Sequence, residues 1–249
     1  VKEDGSLWVM GDNSSGQLGD GSSTNRSAPV QIEESGVVAV SAGWYNSIYL
    51  KEDGSIWAMG ENYFGEDTGD RYLPEKVVES GAVKIYSGCY HAHFLKEDGS
   101  LWAMGTNLSG QLGDGTFENR RSPVEVASGV SEMVAGNTHT LFLKDDGSLW
   151  AMGSNSDGEL GDGTGESQST PVMIESAGVV NLGAEEWWSA YVKDDGSLWA
   201  MGSNTYGGGN QNRMVPEKLV DGGVSDLALG WGYCLFTKGS QTTIEPLWL

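Results

Sequence analysis

At 249 residues the chain is long enough for one large domain, and its formal net charge of −21, from 35 acidic and 14 basic side chains, makes a surface that repels DNA, RNA and anionic lipid heads. No run of about 18 apolar residues is present, which excludes a helical membrane span. Two cysteines, Cys89 and Cys234, are too few for a disulfide-built scaffold, while 38 glycines and ten tryptophans point to many tight turns and large aromatic anchors.

The first informative phrase is KEDGSLW at residues 2–8. It returns at 51–57, 96–102, 144–150 and 193–199, and in degenerate form at 238–240, with spacings of 49, 45, 48, 49 and 45 residues. Self-similarity at such a period means a repeat architecture. Within a unit, Asp-Gly, as in Asp4-Gly5 and Asp146-Gly147, predicts a hairpin turn. Ser-Leu-Trp-Ala-Met-Gly (residues 100–105) is apolar on both alternating faces, so it predicts a strand covered on both sides. A polar loop follows, Gly-Gln-Leu-Gly-Asp-Gly at 110–115. Residues 123–126, led by Pro123, fit an edge strand. Val130–Ala135 and residues 140–143 make two more strands around Gly136. No segment carries a helical period.

Four strands per unit is the blade of a β-propeller. The fold class is therefore all-β, a propeller of about five four-stranded blades with repeats starting near 2, 51, 96, 144 and 193 in a single domain, 1–249. A lone blade cannot bury both faces, so its neighbours must stack on it. The chain enters just before a Trp strand. Its last segment, 224–249, holds two strands at 224–229 and 233–237, which are expected to complete the blade begun at residue 1 and close the ring. The opening Val1, in place of Met, and the lack of a signal peptide suggest a processed product or an excised domain.

Aligned, the units separate into framework and variable positions. Trp8, Trp57, Trp102, Trp150 and Trp199 are constant and read as blade-to-blade packing. Variation concentrates in the loop after the Ala-Gly strand. Its three positions are Trp44-Tyr45-Asn46, Cys89-Tyr90-His91, Asn137-Thr138-His139, Glu186-Trp187-Trp188 and Trp231-Gly232-Tyr233. Loops on a rigid scaffold carry function, and Trp and Tyr dominate protein hot spots. The expected binding residues are therefore Trp44, Tyr45, Tyr90, His91, His139, Glu186, Trp187, Trp188, Trp231 and Tyr233. Tyr63, Phe64 and Tyr206 join them from a second variable loop after Met-Gly.

Catalytic and metal chemistry finds little support. His91 and His93 share a strand face, but only His139 remains as a further histidine, too few for zinc. Asp20, Asp114 and Asp162 sit in Gly-Asp-Gly loops without the offsets of a twelve-residue calcium loop, and Asp beside Gly commonly forms turns. Glu185 and Glu186 are adjacent, so on a strand they point to opposite faces. No nucleophile elbow or phosphate-binding glycine loop is present. No catalytic or metal residue is assigned.

The Leu-Trp-Ala-Met-Gly strand, the Asn…Gly-Gln-Leu-Gly-Asp-Gly loop (13–21 and 107–115) and Ala-Gly-x-x-His-Thr-x-x-Leu (135–143) resemble the regulator-of-chromosome-condensation repeat family, in a spelling similar to its bacterial members. The resemblance spans essentially the whole chain and implies a propeller, commonly of seven blades where five units are present here. It implies no single function. Members act as nucleotide exchange factors on chromatin, as an ultraviolet-B photoreceptor, as a secreted inhibitor of β-lactamase and as adaptors. An exchange factor needs a protruding insertion, yet no unit exceeds 49 residues. The photoreceptor pattern needs Arg beside Trp, and residues 43–47 and 230–234 have none. The expectation is a non-catalytic binding module for a protein partner with a basic surface, without nucleic acid or membrane insertion, secreted or at a bacterial cell surface. The alternatives are a lectin-like module, with calcium as its one candidate cofactor, and a glycan-active enzyme using Glu186.

Overall fold

The computed structural model describes residues 1–61, 69–204, 211–239 and 247–248. Among these residues there are strands, turns and bends but no helix. The chain forms two compact units, Val1–Asn107 with Glu118–Ser128, and Leu108–Phe117 with Gly129–Leu249.

The first unit holds three sheets. A pair comes first, β1 (Leu7–Gly11) with β2 (Arg26–Glu33). Next is the antiparallel sheet β3 (Val37–Ala42), β4 (Asn46–Lys51), β5 (Ile56–Gly60) and β6 (Arg71–Val78), then β7 (Ala82–Ser87), β8 (His91–Lys96), β9 (Leu101–Gly105) and β10 (Arg120–Ala127). The second unit holds β11 (Val130–Ala135) to β14 (Gln168–Glu175), through β12 (His139–Lys144) and β13 (Leu149–Gly153). It continues with β15 (Val179–Ala184), β16 (Trp188–Lys193), β17 (Leu198–Gly202) and β18 (Arg213–Val220), and ends with β19 (Val224–Gly230), β20 (Tyr233–Lys238) and β21 (Leu247–Trp248). Each four-stranded meander is a propeller blade, laid down strand by strand in chain order.

The Asp-Gly turns explain the hairpins. At the β4–β5 turn Lys51 N–H donates to the Ser55 carbonyl (3.0 Å) and Gly54 N–H to the Lys51 carbonyl (2.9 Å), with Gly54 at φ +75°. Asp53 Oδ1 accepts from Ser55 N–H, and the Ser55 hydroxyl accepts from Trp57 Nε1 at 3.0 Å. The turn also stitches one blade to the next, since Ala82 N–H donates to the Gly54 carbonyl at 3.1 Å. A Cβ on Gly54 would lie 2.6 Å from Gly81 N, so the approach requires glycine.

The central strands are buried on both faces, as their two-sided apolar spelling requires. Ile56 and Ala58 of β5 join Ile48, Ile85, Phe94 and Met104 in a core shared with the next blade. Met59 joins Leu7, Val37 and Tyr49 on the opposite face. In the second unit Leu149 and Ala151 pack with Val179, Leu182 and Tyr191, while Leu198 and Ala200 pack with Val224, Leu227 and Phe236. Pro123 lies within β10, an edge strand, at a register shift between Arg120 and Val124, where no ladder donor is needed.

Two placements differ from the sequence reading. The framework tryptophans are half-buried, and Trp8 is more open still. Each ring from Trp57 onward stacks on the aromatic ring opposite it in the same sheet, Tyr49, Phe94, Phe142 or Tyr191, at 6.2–6.4 Å between centroids. A lysine covers each ring, with Lys96 Nζ 3.8 Å from the Trp102 centroid. The other difference concerns the chain ends. Sequence places the N-terminal Trp strand beside β20, but β20 pairs there with β21, Tyr233 opposite Trp248 and Cys234 opposite Leu247. Leu247-Trp248 spells the same Leu-Trp pair as Leu7-Trp8, so it suits the same edge. Among the described residues β1 pairs with β2 alone, and an open cavity of about 340 Å³ lies beside it, lined largely by apolar groups such as Leu7, Val9, Leu18 and Val40.

Candidate functional site

The variable loops are two-residue hairpin tips. Gly43 N–H donates to the Asn46 carbonyl at 2.9 Å, so only Trp44 and Tyr45 lie between the two bonded residues. The same bond closes Gly88 to His91, Gly136 to His139 and Glu185 to Trp188. Side chains at such a tip have no strand neighbour to cover them. The third position of each loop is instead the first residue of the next strand.

That geometry corrects three expected binding residues. His91, His139 and Trp188 occupy the third position, and all three are buried, Trp188 at 6 % exposure. Each stands opposite a glycine, Gly105, Gly153 or Gly202, which leaves room for a large side chain to turn inward. His139 Nε2 bonds Ser189 Oγ at 2.8 Å, and Ser189 Oγ donates to the Glu159 carbonyl at 2.9 Å. In the first copy Asn46 Nδ2 donates to the Cys89 carbonyl at 2.9 Å, so the position ties one blade to the next. Burial pulls the pKa of His91 down to about 4, leaving it neutral near pH 7. Trp188 packs with Ala190, Leu198, Cys234 and Phe236.

The tips behave differently. In the first unit Trp44 is 55 % and Tyr45 38 % exposed, and Tyr90 is partly exposed. Tyr45 and Tyr90 stack 6.3 Å apart at 18°, and Trp44 lies 6.5 Å from each at 87° and 71°. In the second unit Trp187 and Trp231 sit 6.2 Å apart at 41°, with Trp231 65 % exposed, while Tyr233, a third-position residue that stands opposite Trp248 of β21 where His91, His139 and Trp188 face a glycine of the following strand, stays 47 % exposed. Glu186 is partly exposed beside Trp187, its N–H donating to Glu185 Oε2 at 3.2 Å. Tyr63, Phe64 and Tyr206 lie outside the described residues.

Glu61 joins the Trp44–Tyr45–Tyr90 cluster through the backbone. Glu61 N–H donates to the Tyr45 carbonyl at 2.7 Å. The Tyr90 phenol is held above its ordinary pKa, first by burial and then by the Glu61 charge. The signal was present in the repeat alignment, where Asp12, Thr106, Ser154 and Ser203 take the same place after Met-Gly.

The Gly-Asp-Gly loops are internally tied. Asn13 Nδ2 donates to Asp20 Oδ1 at 3.1 Å and Asn13 Oδ1 accepts from Leu18 N–H at 2.9 Å. Asp20 also accepts from the Ser22 hydroxyl and from Arg26 Nε at 2.5 Å, which holds its pKa down to about 2. Asp162 accepts likewise from Thr164, Asn155 and Gln168. Among the described residues no three His, Cys, Asp or Glu side chains gather to hold a metal ion, and no helix is long and apolar enough to cross a membrane.

Comparison with known proteins adds a family. The description "Regulator of chromosome condensation (RCC1) repeat" matches residues 4–50, 98–143 and 146–182, and a second description of the same repeat matches 37–66 and 130–159. No curated protein matches the chain. Among solved structures, human WBSCR16 superposes with a TM-score of 0.82 at 20 % identity, over 94 % of this chain and 71 % of its own. Yeast RCC1 (Prp20), in a structure with Kap60 bound, gives 0.83 at 21 %, over 96 % and 65 %. Prp20p from Saccharomyces cerevisiae, described with its binding properties to Gsp1p and histones, gives 0.80 at 22 %, over 96 % and 66 %. The chain thus spans about two thirds of the length of the two yeast structures, and at these identities the likeness is one of fold.

Proposed function

Since this chain belongs to the regulator of chromosome condensation (RCC1) repeat family, we propose that it is a non-catalytic binding module whose aromatic hairpin tips recognise a protein partner. One observation carries the reading. Trp44, Tyr45 and Trp231 stand exposed on two-residue turns of an otherwise rigid sheet framework, where packing does not require them. Large rings cost apolar exposure unless something covers them, and Trp and Tyr supply contact area at low entropic cost. The yeast Prp20 structures support the reading by analogy, since those proteins are described with protein partners. With 35 acidic residues against 14 basic, the surface favours a partner with a basic face.

The test is a partner captured from the native source, purified, and titrated against the chain at rising salt, beside a glycan array with and without chelator. The reading predicts saturable one-to-one binding that weakens with salt, and silence on glycans. Chelator-sensitive glycan binding without any protein partner would replace it with the lectin reading.

A further inference from the structure

We infer that the Trp44–Tyr45–Tyr90 cluster, with the Glu61 carboxylate beside it, seats an arginine side chain of the partner. The inference deepens the protein-binding reading and rests on it.

The argument starts from the rings. Tyr45 and Tyr90 lie nearly parallel at 6.3 Å, too close to admit a ligand between their faces. Trp44 crosses both, so the two tyrosines brace it while 55 % of its surface stays open. An aromatic face is electron-rich and attracts a cation. The chain already uses this contact, with Lys2, Lys51, Lys96, Lys144 and Lys193 each covering a framework tryptophan at 3.8–5.0 Å. Among the described residues no lysine or arginine covers Trp44 in that way.

Charge then selects the occupant. Glu61 is held at the cluster by its backbone bond to the Tyr45 carbonyl, 2.7 Å, and its charge acts on the neighbouring Tyr90 phenol. A neutral sugar can donate hydroxyl hydrogen bonds to that carboxylate but brings no opposite charge to it and none to the ring face. A guanidinium serves both, because it stacks flat on an indole while its N–H groups reach a carboxylate, and it is more weakly hydrated than an ammonium. Lysine can satisfy the ring or the carboxylate, but as a compact, strongly hydrated point charge it does both less well.

The experiment titrates fluorescein-labelled eight-residue peptides of alternating Gly and Arg, Gly and Lys, or Gly and citrulline into the full chain, reading anisotropy. Citrulline keeps the planar hydrogen-bonding shape and removes the charge. The expected order is Arg tighter than Lys, with citrulline about tenfold weaker than Arg. Trp44→Ala should weaken the Arg peptide about tenfold, Trp44→Phe less, and Glu61→Gln about threefold, each with an unchanged melting temperature. Equal binding of the Arg and Lys peptides, untouched by Trp44→Ala, would reduce the effect to bulk attraction and overturn the assignment. The two readings fail separately. If Trp44→Ala abolishes binding of the purified partner while Arg and citrulline peptides bind alike, the protein-binding site stands and the arginine seat falls. If Trp44→Ala leaves partner binding intact, the protein-binding reading of this tip falls, and the arginine seat falls with it.

Discussion

Single residues carry the sharpest consequences where one repeat departs from the others. Glu159 is buried where the other copies place Gln17 and Gln111, and loss of water raises its pKa above the usual carboxylate range. A carboxyl whose pKa rises on folding favours the folded state at low pH and loses that contribution as pH climbs through the folded value. Glu159→Gln should therefore stabilise the chain at pH 7 by about 1 kcal/mol, or roughly 2–4 °C, and the gain should vanish below about pH 4 in thermal melts. Asp20 has the opposite sign. Its pKa is lowered to about 2 by the Ser22 hydroxyl and by Arg26, so its contribution is present above the ordinary Asp value and lost as pH falls through about 2. Asp20→Asn should cost about 1 kcal/mol at pH 7, a difference that closes between about pH 4 and pH 2. The same scale shows what sequence reading missed. Three variable positions stood in each loop, and nothing in Tyr90-His91 or Trp187-Trp188 alone says which residue turns inward. The answer lay across the hairpin, in Gly105 and Gly202, whose missing side chains admit the inward one.

At the level of elements, the sequence was more legible. The five recurring KxDGSxW phrases predict the hairpin turns, and each is present with its Ser N–H donating to the Asp carboxylate and its glycine at φ 75–76°. Those turns make a paired prediction. Gly81 has φ +89° with open space at its Cβ position, whereas Gly54 has φ +75° and a contact of 2.6 Å to Gly81 N. Gly81→Ala should cost about 1 kcal/mol for the left-handed conformation alone, and Gly54→Ala clearly more, because a backbone clash is added. Denaturant melts of the two variants separate the terms. The tryptophan strands β5, β9, β13 and β17 were read correctly as covered on both faces, while β1 is largely open, and the indoles themselves were assigned too deep a place. Periodicity reports which face a residue occupies, and the Lys and Phe or Tyr that share the Trp face were not weighed as its cover.

The whole molecule adds charge and chain ends. Strands at 224–229 and 233–237 were visible in the sequence, but their partner was not, since Leu7-Trp8 and Leu247-Trp248 offer the same edge the same two residues. The acidic excess acts on every part of the surface at once, so it governs approach to a partner and its salt dependence, while the aromatic tips govern how tightly the docked complex holds. The two contributions part under mutation, because charge is spread through the chain and the rings are few.

The most direct measurement compares Trp44→Ala with Trp102→Ala in both partner affinity and thermal stability. The account predicts that Trp44→Ala weakens binding about tenfold or more with almost no change in melting temperature. Trp102→Ala, which strips a ring stacked on Phe94 and covered by Lys96, should leave binding by the folded protein intact and cost about 2–3 kcal/mol of stability. Equal stability losses in the two variants, or full affinity retained by Trp44→Ala, would contradict it.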